Sequence, residues 1–81
     1  MTSLTTEQIR ILRHSLGLTR AREPYRNHYV LGERHTAWGD VQELTRLGLM
    51  EEVERSAGER DSFIYQMTEK GKDWLRAAGI L

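Results

Sequence analysis

Val41-Gln42-Glu43-Leu44-Thr45-Arg46-Leu47-Gly48-Leu49-Met50 and, further on, Tyr65-Gln66-Met67-Thr68-Glu69-Lys70-Gly71-Lys72-Asp73-Trp74-Leu75 are the two stretches that decide the fold. In the first, Trp38, Val41, Leu44 and Leu47 step round one helical face, which predicts a helix over 37–47 with Thr36 as its cap. Gly48 sits where a helix-ending glycine belongs, and Leu49 follows as its apolar contact. A strand over 49–55 is expected next, then a turn at Ala57-Gly58 and a return strand over 62–67. In that return strand Phe63, Tyr65 and Met67 alternate with Ser62, Ile64 and Gln66. Thr68 then caps a last helix over 69–78, expected to bury Trp74, Leu75 and Ala78, with Gly79 closing it.

Upstream, Thr5 and Gln8 have capping-box spacing, and Leu4 and Ile9 have staple spacing. Ile9, Leu12 and Leu16 recur at helical intervals, so a helix over 6–16 is expected, closed by Gly17 and Leu18. Residues 18–35 form the least regular stretch. Pro24 interrupts any helix there and pushes Glu23 toward extended geometry. Asn27 to Leu31 reads as a short strand ended by Gly32, with a helical turn expected at Arg20–Glu23.

The chain has 81 residues, which predicts a single domain over 1–81. With no cysteine, disulfides, thiolate zinc sites and thiol nucleophiles are excluded. The apolar runs are too short to cross a membrane as a helix. The first residues lack a basic start with an apolar run behind it, so a cytoplasmic protein is expected. Net charge is zero, which removes an overall basic coat, but the charges are segregated. Residues 1–36 carry six arginines against three glutamates and hold all three histidines. Residues 51–61 carry five acidic residues against two arginines.

The two opening stretches resemble winged-helix domains of the MarR and PadR kinds of bacterial regulator. There a helix ends in a Leu-Gly-Leu type phrase, a β-hairpin wing follows, and a Tyr-x-Leu-Thr-x-x-Gly type phrase opens the next helix. The resemblance covers residues 41–79 and implies a small α+β winged-helix-like domain: three helices plus a two- or three-stranded antiparallel β-hairpin wing. The first half departs from it, since the helix that should precede the recognition helix is replaced by Leu18–His35. Arg13-His14-Ser15-Leu16-Gly17-Leu18 and Pro24-Tyr25-Arg26-Asn27-His28-Tyr29-Val30 are instead similar to small bacteriophage and prophage proteins. That implies an origin in a bacterial host cell and supplies no activity.

Three groups of side chains are candidates for contact. By the winged-helix resemblance, the helix over 37–47 would enter a major groove with Gln42 and Arg46 reading base edges, while Asp40 and Glu43 would repel phosphates. The wing would offer Arg55, Glu59 and Arg60, in acidic company that suits DNA poorly. Arg20, Arg22, Tyr25, Arg26, His28, Tyr29 and Arg34 interleave guanidinium groups with aromatic rings, suited to gripping phosphates or a partner's carboxylates. The plainer reading makes Tyr25 and Tyr29 core residues and pairs the arginines with Glu51, Glu52 or Glu54. His28, His35 and Asp40 match no ligand spacing, so no metal is expected. No nucleophile, base and orienting group can be placed together, so neither an enzyme nor a cofactor is expected. The resulting expectation is a phage-type regulatory or host-interaction module that contacts a protein, as a monomer or weak homodimer. The alternative is a sequence-specific regulator of double-stranded DNA.

Overall fold

The structure, a computed structural model, describes residues 3–55 and 62–81. Six elements follow one another: α1 (Thr6–Ser15), β1 (Tyr29–Gly32), α2 (Trp38–Arg46), β2 (Met50–Arg55), β3 (Ser62–Met67) and α3 (Glu69–Ala77). The fold is α+β, with three helices and one antiparallel three-stranded sheet in the order β1-β3-β2.

Alternation puts Phe63, Tyr65 and Met67 of β3 in the core, with Leu31 of β1 and Met50 of β2 beside them. Register fixes these neighbours: Tyr29 lies opposite Tyr65, Leu31 opposite Phe63, and Met50 opposite Met67. Leu12 and Leu16, Val41 and Leu44, and Leu75 close over this face. The outer face carries Val30 and Val53, both 52% exposed. Val53 occupies a bulge between Glu52 and Glu54, so two registers meet within β2.

The two deciding stretches are joined by backbone groups. Thr68 donates its N–H to the Leu49 carbonyl (3.1 Å) and its hydroxyl to the Gly48 carbonyl (2.6 Å), while its Oγ1 accepts the Gly71 N–H (3.1 Å). Lys70 Nζ donates to the Leu47 carbonyl at 3.0 Å. The start of α3 thereby caps the end of α2 as well as itself. Each helix ends alike, with a glycine at positive φ (Gly17, Gly48, Gly79) and paired bonds back into the last turn, such as Gly48 N–H to Thr45 and Leu49 N–H to Leu44.

Several boundaries differ from expectation. In α1, both bonds of the Thr5–Gln8 capping box form, but Ile9 is only half-buried. The inward face runs through Gln8, Ile11, Leu12 and Ser15, one step round the helix from the expected stripe. Helix α2 starts one residue late, and Thr36 is exposed and makes no cap. Instead His35 Nδ1 accepts the Ala37 N–H at 3.0 Å. The turn expected at Arg20–Glu23 lies earlier, where the N–H groups of Arg20 and Ala21 bond to the Gly17 carbonyl. Strand β1 runs from Tyr29 to Gly32 rather than over 27–31, with Gly32 paired opposite Ser62. Ala78 is exposed, because α3 meets the core mainly through Gly71 and Leu75. Trp38 and Trp74 are half-buried against the core, Trp38 packing 5.1 Å from the Phe63 ring.

Candidate functional site

The last carbonyls of a helix need partners, and in α1 the irregular segment supplies them. Tyr25 N–H bonds to the Leu16 carbonyl (3.1 Å) and His28 N–H to the Ser15 carbonyl (3.0 Å). The Arg26 guanidinium donates to the His14 carbonyl through Nη2 (2.8 Å) and Nε (3.2 Å) and stands over the Tyr25 ring, 5.5 Å from its centre. Asn27 donates its amide Nδ2 to the Met67 carbonyl (3.2 Å) and accepts the Met67 N–H (2.8 Å), carrying the β1–β3 pairing two residues beyond the strand. Residues 16–28 are thus a wrapped cap on α1 and need no element of their own.

This wrapping divides the predicted arginine–tyrosine cluster. Arg26 is a tether, and Tyr29 is half-buried with its hydroxyl pKa raised by that burial and by Glu7. Tyr25 is 57% exposed, which overturns its reading as core. Arg20, Arg22, His28 and Arg34 are exposed. Pairing of these arginines with Glu51 or Glu52 is not found either, and the Glu54 side chain lies outside what is described. Among the described residues the ion pairs are Glu7–Arg10, Glu43–Arg46, Glu69–Lys72 and Asp73–Arg76, each within one helix. Glu51 takes a hydrogen bond from Gln66 instead, at 2.6 Å. Arg13, Arg20, Arg22, Arg26 and Arg34 therefore stand without a carboxylate partner among the described residues, around the C-terminal end of α1 and the loops beside it.

On α2 the candidates are spoken for. Gln42 Nε2 donates to the Tyr65 hydroxyl at 2.8 Å, satisfying a polar atom on a ring that is 2% exposed. Asp40 accepts from Gln8 Nε2 at 3.3 Å. Arg46 grips both oxygens of Glu43, whose carboxyl pKa is lowered by that bond. In the wing, Arg55 ends β2 opposite Phe63. Glu59, Arg60 and the turn at Ala57-Gly58 lie outside the described residues.

Sequence reasoning missed a groove of about 430 Å³ that runs along α1. Glu7, Arg10, Ile11 and His14 form its helical wall, with Tyr29, His35 and Asp40 opposite. The His14 and Tyr29 rings meet edge-on at 5.5 Å, and Tyr29 and His35 at 6.4 Å. Burial, then the cations Arg26, Arg20 and His28, hold the His14 pKa below its ordinary 6.5. The spacing of Glu7, Arg10, Ile11 and His14 on one helical stripe was the available signal. Their partner wall comes from residues 29–40 and had no local signature. Among the described residues no three histidine, aspartate or glutamate side chains are placed to hold a metal ion, and no helix is long and apolar enough to cross a membrane. No protein-family model matches the chain, and no curated protein or solved structure shows significant similarity to it.

Proposed function

We propose that the chain is a winged-helix-type binding module, of bacteriophage or prophage origin, that acts without catalysis in the host cytoplasm. It contacts a protein partner through the arginine-bearing end of α1 rather than through α2. The element order and the sheet order β1-β3-β2 support the winged-helix reading, with β2 and β3 as the hairpin and the turn 33–37 in place of a preceding helix. The observation that carries the functional reading is the contrast between two surfaces. The polar side chains of α2 are engaged internally and bring two carboxylates, whereas five arginines near α1 have no carboxylate partner among the described residues. Such an uncompensated basic surface selects an acidic partner and speeds the encounter with it.

Double-stranded DNA is the second reading, favoured by the same arginines, since phosphate neutralisation dominates nucleic-acid affinity. Its weakness is α2, where Asp40 and Glu43 would face the phosphates. The Arg20→Ala, Arg22→Ala double variant separates the two readings, because neither side chain tethers the fold as Arg26 does. The expected result is an unchanged circular dichroism melt, loss of a protein captured by wild type from bacterial lysate, and no retention of mixed duplex DNA at low salt. DNA retention by wild type that vanishes in the double variant would replace the protein reading with the DNA one.

A further inference from the structure

The three histidines, far apart in sequence, meet around one tyrosine. His14 comes from the last turn of α1, His28 from the segment before β1 and His35 from the turn after it. With Arg26, Tyr29 and Val30 they line a hollow of about 250 Å³ that has no carboxylate in its wall. Two of the rings have their tautomers assigned by neighbours. Because His35 Nδ1 accepts the Ala37 N–H, neutral His35 carries its proton on Nε2, the nitrogen that this bond leaves unused. His14 Nε2 lies 3.3 Å from Arg26 Nη2, which only donates, so neutral His14 carries its proton on Nδ1. The His28 side chain is exposed and takes part in neither bond.

We propose that this hollow binds a tetrahedral dianion, a phosphoryl or sulfate-type group, on its imidazole N–H groups and the Arg26 guanidinium. In the free protein Arg26 stands beside His14 and Arg20 lies within electrostatic reach of it, so both guanidinium charges favour an anion there. A dianion there would accept charge-assisted bonds from Arg26 and hydrogen bonds from His14 Nδ1–H and His35 Nε2–H, the donors that the tautomers leave free. Glu7 is the carboxylate that opposes it, since its charge reaches Tyr29 at the centre of the hollow. Glu7 and Asp40, with Arg10, border the larger groove, which shares His14, Tyr29 and His35 with the hollow but extends along α1. The site shares Arg20 and Arg26 with the partner reading above, but it concerns a small anion and uses neither Arg22 nor Arg34.

All three histidines of the chain line this hollow, and His28 lines it without lining the larger groove, so its C2–H resonance tells the two apart. Sulfate is the probe, because it keeps both charges through the range in which imidazole titrates. At constant ionic strength in chloride, sulfate should move all three resonances along one saturating curve. The Kd should be of millimolar order. His28→Ala removes a side chain that no hydrogen bond of the described fold uses; it should leave the melting temperature unchanged and weaken sulfate binding about fivefold. Inorganic phosphate and phenyl phosphate, compared at one pH, tell the sources apart. Tighter inorganic phosphate marks a free ion, and a tighter ester marks a phosphoryl group carried on a larger molecule. Resonances that follow ionic strength alone, or binding untouched by His28→Ala, would overturn the proposal.

Discussion

Asn27 extends the sheet with its side chain. Backbone pairing of β1 stops at Tyr29 opposite Tyr65, and two residues earlier the Asn27 amide offers Met67 both a donor and an acceptor. Removing it in Asn27→Ala leaves two backbone groups of Met67 short of partners at a part-buried site, at a cost of about 1–3 kcal/mol. Urea denaturation measures this, and a loss under about 0.5 kcal/mol would mean that water replaces the amide. His14 provides a second residue-scale expectation. Its folded pKa is depressed, so the unfolded chain binds the proton more readily. The contribution of His14 is therefore present above the unfolded value of 6.5 and is lost as pH falls through the lower folded value. Melting temperatures recorded from pH 8 downward should fall below about pH 6.5, and His14→Gln should flatten that slope. Neither role was visible in the sequence: Asn27 looked like the first residue of a strand, and His14 like one more polar residue on a helix.

At the scale of elements, the helix ends and the Thr68 clamp hold the two halves of the fold together. Gly48 has φ +79°, and only the Lys70 side chain lies near the place a Cβ would take. Gly48→Ala therefore adds backbone strain alone, about 1–2 kcal/mol. Gly71 is the opposite case. It is an ordinary helical position where alanine should help, yet a Cβ there would collide with the Leu49 carbonyl oxygen. That oxygen is held in place by the Thr68 N–H, so the collision is with backbone that has little room to move. Gly71→Ala should cost about 3 kcal/mol, more than Gly48→Ala, with the ranking read from chemical denaturation of both variants. The phrases around Gly48 and Thr68 were legible because caps and helix-ending glycines act within a few residues. The need for glycine at 71 was not, because the obstructing atom belongs to a residue 22 positions earlier.

Across the whole molecule, one layer of apolar side chains joins every element. Leu44 is fully buried in the core on a helix that packs against α1 and β2, and Leu44→Ala should cost about 2–5 kcal/mol. Total stability for a chain of this size is expected near 5–8 kcal/mol, so the variant should be largely unfolded on warming. A cost well below 1 kcal/mol would contradict the burial of this helix face. Among the described residues the exposed large apolar side chains are Tyr25, Val30 and Val53, too few to build a dimer core. Sedimentation at low concentration should therefore show a 9.4 kDa species, and a species of twice that mass would refute the monomer.

The order of helices and strands, the inward alternation of β3 and all three helix ends were determined by the sequence itself. They rest on interactions between residues close along the chain: a cap accepting an N–H three residues on, a glycine tolerating positive φ, side chains alternating across a pleat. The addition of β1 to the sheet beside β3 is a pairing across more than 30 residues, and only the tertiary structure decided it. The same holds for the candidate surface. Composition placed the arginines and histidines in the first half, but a side chain's role depends on what approaches it in space. Packing made Arg26 a tether and Gln42 the partner of Tyr65, and it gathered three histidines around Tyr29. It left Arg20, Arg22 and Arg34 exposed and outside the ion pairs of the described residues.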